Sequence, residues 1–286
     1  MPSSSSSSAQ QARQALADQL RDLRLAAGLT GRALADLAGW HGVSKVSKIE
    51  HGARPPSSAD VLAWCRICGA SPERTEGLLA EQRAAAGMWV SYQRLNRGGL
   101  RKSVQSNRLT WEHVAVVRSY QSKLLPGLLQ TPGYTEAVLQ DVRMRQHVPD
   151  DDVSEAVAER MNRQSILRQV GHEFIFVIEE SVLRHRLYGR AILRDQLAHL
   201  RRVSTLAQIR LGIIPIRADR RGMYPREGFL MFDEDLVSVE LISGVLSVTQ
   251  PHEIAMYMTD FNDLASIAVY GQDARHLIAE AISELA

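Results

Sequence analysis

Apolar positions along the chain follow two different periods. Between residues 13 and 79 they recur at spacings of three and four: Leu16, Leu20 and Leu23, then Ala33, Leu34 and Leu37, then Val46 and Ile49, then Val61, Leu62, Trp64 and Cys65. That period predicts short amphipathic helices. From Val114 onward, runs rich in branched and aromatic residues predict strands near 114–120, 174–178, 209–215, 228–232 and 236–242. Helical patterns fall at 132–147, 153–170, 191–208, 253–270 and 272–285. The expected fold is a mainly α N-terminal domain of five helices followed by an α+β domain with a mixed sheet of about five strands.

Local signals mark the boundaries. Gly28, Gly52 and Gly69 close helices, whereas Ser57 or Ser58, Ser71 before Pro72, and Thr131 before Pro132 open them. Residues 1–11, with six consecutive serines, are expected to form a disordered tail. Residues 12–79 form the first domain, 80–110 a helical basic connector, and 111–286 the second domain. Arg94, Arg97, Arg101, Lys102 and Arg108 of the connector suit either flanking phosphates or a solvated helix face.

Residues 30–52 carry the most specific pattern. They read as a short helix capped by Thr30, a turn containing Gly39 and Gly42, and a second short helix ending before Gly52, which is a helix-turn-helix. In the second helix Val46 and Ile49 point inward, leaving Ser44, Lys45, Ser47 and Lys48 outward. A small, cationic outer face suits a major groove, because bulk would hold the helix off the base edges and acids would be repelled by phosphate.

The segment Leu16 to Leu79 resembles the five-helix, lambda-repressor-like DNA-binding domain of Xre/Cro/C1-type repressors. The likeness rests on Leu-Arg-Leu-Ala-Ala-Gly-Leu-Thr at 23–30, Leu-Ala-Asp-Leu-Ala-Gly at 34–39 and Val-Ser-Lys-Val-Ser-Lys-Ile-Glu-His-Gly at 43–52. The remainder, marked by Pro-Gly-Leu-Leu-Gln-Thr-Pro at 126–132, resembles the C-terminal domain of WhiJ-like, antitoxin-like bacterial regulators. The resemblance implies DNA contacts from Arg32, Val43, Ser44, Lys45, Ser47, Lys48 and Arg54, and a structural ion pair between Arg24 and Glu50. It also implies a small partner protein encoded by an adjacent gene. The turn from Gly39 to Glu50 is one residue longer than the usual repressor spacing, with Trp40 expected to close it from the core.

Composition sharpens this picture. Residues 1–110 hold 15 Lys+Arg against 8 Asp+Glu, and residues 111–286 hold 19 against 24, so attraction to phosphate is confined to the N-terminal third. No apolar run approaches the ~20 residues of a membrane helix. The two cysteines, Cys65 and Cys68, lie one helical turn apart without the further ligands of a zinc site, which favours buried thiols and a reducing cytoplasm.

Catalytic patterns are missing from the sequence: it has no nucleophile elbow, Walker loop or zinc-protease motif. Glu179 and Glu180, with His185 nearby, invite a hydrolase reading, but neighbours on a strand point to opposite faces. Asp150-Asp151-Asp152 is expected to favour the positive end of the helix beginning at Val153. The loop 217–226 suits a lid, a partner contact or a solvated loop. The chain is therefore expected to be a homodimeric, sequence-specific transcriptional regulator of double-stranded DNA, without enzymatic activity, cofactor, metal or membrane. A ligand-sensing repressor and an antitoxin that neutralises a protein toxin are the alternatives.

Overall fold

The structure, a computed structural model, describes residues 8–105, 111, 114–149 and 151–285. It divides into two compact units between Val90 and Ser91. The first contains α1 (Ser8–Ala26), α2 (Gly31–Leu37), α3 (Ser44–Glu50), α4 (Ser58–Cys68) and α5 (Pro72–Gly87). Leu16, Leu20, Leu34, Val46, Ile49, Val61, Trp64 and Leu78 form its core. Trp64 is fully buried, and its indole N–H donates to Leu20 O at 2.9 Å, so the large apolar ring brings no unpaired polar group inside.

The helix starts follow capping chemistry. Thr30 accepts from Ala33 N, Ser71 accepts from Arg74 N, and Ser57 and Asp60 form a reciprocal capping box at the head of α4. Two expectations are corrected. α1 begins at Ser8, inside the stretch expected to be a tail, of which residues 1–7 lie outside the described residues. Gln11 thus belongs to a helix that already propagates, which favours adding residues at its end. In α2 the buried residues are Leu34 and Ala35, while Leu37 is 61% exposed. A buried stripe centred between positions 34 and 35 leaves position 37 roughly 110° away around the helix.

The second unit holds α6 (Tyr92–Leu95), α7 (Leu100–Gln105), β2 (Val116–Gln121), α8 (Pro132–Arg145), α9 (Val153–Arg163), β3 (Glu173–Glu179), α10 (Glu180–Arg184) and α11 (Arg190–Val203). It continues with β4 (Ile209–Ile214), β5 (Phe229–Phe232), β6 (Leu236–Glu240), β7 (Gly244–Val248), α12 (Pro251–Ser266) and α13 (Gly271–Ser283). The connector region is divided: α5 runs to Gly87 and α6 and α7 belong to the second unit, while Arg108 lies outside the described residues.

The sheet is mixed but has seven strands, not five, in the order β1-β7-β6-β5-β2-β3-β4, with β1 being Trp89–Ser91. The two additional strands, β1 and β7, are three and five residues long. Neither shows an apolar alternation that stands out from a loop. β2, β3 and β4 run parallel, whereas β5, β6 and β7 continue antiparallel from β2. Phe174, Phe176 and Ile178 bury against α11 and α13 on one face. Tyr120, Val177 and Phe229 bury against Phe261 and Leu264 of α12 on the other. Helices on both faces explain why the central strands are nearly continuous apolar runs.

Two loops are held by side chains. In 126–132, Gln196 donates to Leu129 O at 2.7 Å and accepts from Thr131 N at 2.6 Å, and Gln130 donates to Leu125 O at 2.8 Å. In 215–228, Arg220 donates to both oxygens of Glu179 at 2.9 Å, and Arg226 grips Asp260 at 2.5 and 3.0 Å. The expected role of the acid cluster changes. Asp152 accepts from Leu100 N at 3.0 Å and Arg101 N at 2.9 Å, thereby capping α7 rather than its own helix. Asp150 lies outside the described residues.

Candidate nucleic-acid interface

The turn between α2 and α3 absorbs its additional residue with two left-handed glycines, Gly39 at φ +66° and Gly42 at φ +82°. A side chain at either position would be strained, because Cβ crowds the backbone there. Gly31 makes a further close approach possible: a Cβ would lie 3.2 Å from Val43 and 3.4 Å from Val46. Trp40 is half-buried, with its ring centroid 5.7 Å from that of Trp64, so it does close the turn onto the core.

Beneath α3 lies the ion pair. Arg24 Nε donates to Glu50 Oε1 at 2.6 Å and Arg24 Nη2 to Oε2 at 2.9 Å, while Nη1 donates to Leu29 O at 2.7 Å. Both residues are buried. The hydrogen bond to Glu50 outweighs burial and holds the guanidinium proton more tightly than usual. One bidentate contact thereby fixes the end of α3 to α1 and to the start of the turn preceding α2.

The outer face of α3 is exposed at Ser44, Ser47 and Lys48, and Val43 is 46% exposed just before it. Ser44, Ser47 and Lys48 fall at i, i+3 and i+4 and so share one face. Arg32 at the start of α2 and Arg54 after α3 are also exposed. Among the described residues none of Arg32, Lys48 and Arg54 forms an ion pair. Three cations thus stand free around one short polar helix.

Lys45 stands apart from this set. Its ammonium donates to Asp60 Oδ1 at 2.5 Å and lies 4.2 Å from the centroid of the Trp40 ring. Its side chain is only 22% exposed. The structure therefore places Lys45 in a strap between α3 and α4, not on the free outer face. Asp60 and Trp40, which make that strap, are legible in the sequence only as a first-turn acid and a core ring. An acid fifteen residues downstream gives no periodic signal that it will meet Lys45.

In the second unit the two adjacent glutamates diverge. Glu179 accepts from Tyr120 Oη at 2.7 Å and from Arg220, whereas Glu180 accepts from Ile216 N at 2.7 Å and pairs with Arg184 at 2.9 Å. Burial, reinforced by Glu179, pushes the Tyr120 hydroxyl well above the usual phenol range. Both carboxylates are spent on tying 215–228 and α10 in place. Cys65 is buried and Cys68 half-buried, both as free thiols. Among the described residues no helix is long and apolar enough to cross a membrane.

Comparison with known proteins bears on both units. A family described as a helix-turn-helix domain matches residues 15–78. A family described as a domain of unknown function (DUF5753) matches residues 112–280. No curated protein matches. A solved structure titled as that of TrmBL2, an archaeal chromatin protein with a novel mode of DNA binding, aligns with a TM-score of 0.31 and 11% identity. The alignment covers 89% of this chain and 99% of the other, and a likeness that shallow carries no functional argument.

Proposed function

Because this chain belongs to the family of the domain of unknown function (DUF5753), carried here behind a helix-turn-helix domain, we propose that it is a sequence-specific transcriptional regulator of the Xre/Cro/C1 kind. The observation that carries this reading is the exposed outer face of α3, flanked by Arg32, Lys48 and Arg54, which form no ion pair among the described residues. Lys48 can donate to guanine O6 and N7, Ser44 and Ser47 can bond several bases, and Val43 can meet a thymine methyl. Arg32 and Arg54 set the register on phosphates without reading sequence. Lys45 supports this face from behind.

One such unit contacts few phosphates, so the protein acts as a homodimer on two half-sites one helical turn apart. The second unit carries the dimer contacts and receives the signal, in the manner of WhiJ-like regulators, from a small partner protein encoded by an adjacent gene. It performs no catalysis, in keeping with Glu179 and Glu180 being committed to structural bonds. The test is a footprint of the full chain on the DNA upstream of its own coding region. A protected pair of half-sites separated by about 34 Å along the helix axis is expected. Binding that is uniform along any duplex and vanishes with added salt would refute sequence-specific regulation.

A further inference from the structure

On the α12 face of the sheet a cleft of about 340 Å³ opens over β2, β3 and β4. Its floor is the row Arg118, Ile175, Arg210, three residues in direct register on adjacent parallel strands. Strands lie about 4.8 Å apart, so the two arginines start about 10 Å from each other on the same face. Like charges so placed on one sheet face repel unless something neutralises them. Among the described residues neither arginine forms an ion pair. Glu173, the acid on the same face of β3, is exposed and makes none either.

The end wall of the cleft is fixed. Tyr270 donates its hydroxyl to Ala265 O at 3.1 Å, and its ring is seated on Gly212, where a Cβ would lie 2.7 Å from ring carbons. The Arg210 guanidinium lies over that ring, 4.8 Å from its centroid. Asn262 and Ser266, one turn apart on α12, also line the cleft. The Ser266 hydroxyl is committed to Asp263 O at 2.6 Å, which leaves the Asn262 amide as the donor on that helix. Two guanidinium forks and an amide therefore face one small cavity that is cationic on its floor and holds no acid among its lining residues.

We infer that Arg118 and Arg210 form a binding site for a small oxyanion, the phosphate or carboxylate group of a metabolite-sized ligand. A planar guanidinium bonds such a group through two parallel N–H donors, and the pair would share its charge from opposite sides. The site lies wholly in the second unit and does not depend on the DNA-binding reading.

Calorimetric titration of the full chain with inorganic phosphate, and separately with succinate, at constant ionic strength tests this. Saturable binding of one anion per chain at roughly millimolar affinity is expected from at least one of the two. Preference between them assigns the group as phosphate or carboxylate. The Arg118→Met, Arg210→Met double variant should lose about tenfold or more in affinity, as each removes a charge-assisted pair. Asn262→Asp, an exposed and nearly isosteric change, should do the same without disturbing the fold. Lys48→Ala with Arg54→Ala, which strips the other cationic face, should leave binding intact. No saturable binding by either probe would overturn the site, as would binding that survives the arginine variants or disappears with Lys48 and Arg54. If the arginines serve only as countercharge to the last carbonyls of α12, their loss will lower stability and the wild type will show no anion saturation.

Discussion

Lys45 donates to Asp60 across 2.5 Å while the same carboxylate accepts from Ser57 N at 3.1 Å, so one acid closes the capping box of α4 and anchors α3. α3 is thereby oriented from two sides, by Asp60 through Lys45 and by Arg24 through Glu50.

This double use of Asp60 makes the first unit sensitive to acid. Burial pushes the carboxyl up, but the bonds from Lys45 and Ser57 outweigh it and hold the carboxyl below the usual range. A depressed folded value contributes stability above the unfolded value and loses it as pH falls through the folded one. Asp60→Asn should therefore flatten the acid side of the stability profile. Hydrogen exchange of the α3 and α4 amides between neutral and acidic pH will report it. Lys45→Met should cost about 1–3 kcal/mol at neutral pH, because the half-satisfied carboxylate remains in place.

Lys45 and Lys48 should separate in DNA binding, although both belong to α3. Arg54→Ala is expected to leave the fold intact, weaken binding about equally on all sequences, and reduce the slope of log K against log salt by about one, whereas Lys48→Ala should cost about 1–3 kcal/mol and relax the preference at one base pair. Lys45→Met should leave both the slope and the base preference unchanged. Fluorescence anisotropy on a set of single-base variants of the bound site distinguishes the two, and a loss of base preference in Lys45→Met equal to that in Lys48→Ala would return Lys45 to the groove.

Arg24 and Glu50 should show strong non-additivity. Either Arg24→Met or Glu50→Gln strands a buried partner and should cost about 3–5 kcal/mol, whereas the double variant should cost much less than the sum. Urea unfolding of the four members of the cycle measures this. Additive losses would mean that the pair contributes through packing alone.

The 215–228 loop should loosen when Arg220 is removed. Arg220→Ala deletes both bonds to Glu179 and, among the described residues, leaves Tyr120 Oη as the remaining hydrogen-bond partner of that carboxylate. Limited proteolysis should then cut within 217–226 at least several-fold faster than in the wild type, with the sheet core still protected. Unchanged cleavage would show that the remaining anchors, Arg226 on Asp260 and Ile216 on Glu180, hold the loop without Arg220.

Much of this architecture can be read from residues alone where the signal is local. The caps at Thr30, Ser57, Ser71 and Thr131, and the glycine at Gly69 with φ +70°, act over three or four positions and are plain in the sequence. Five of the strands announce themselves through buried, branched runs. β7 does not, because only Gly244 and Val248 of its five residues are buried, and β1 is too short for any period to appear. At the candidate site, the outward positions of α3 follow from helical geometry, whereas Lys45 is diverted by an acid on another helix. Arg118 and Arg210 escape notice for the same reason: each looks like an ordinary polar position in its own strand, and only the register joins them.

The amide of Gln196 has a mechanical consequence. It is wholly buried, and it both gives to Leu129 O and takes from Thr131 N, the residue that caps α8. A carboxylate there would forfeit the gift and a hydroxyl would lack the reach. Sliding α11 along the sheet must consequently drag the head of α8 with it or break two interior bonds at once. Any stimulus that shifts one of these helices is geared to the other.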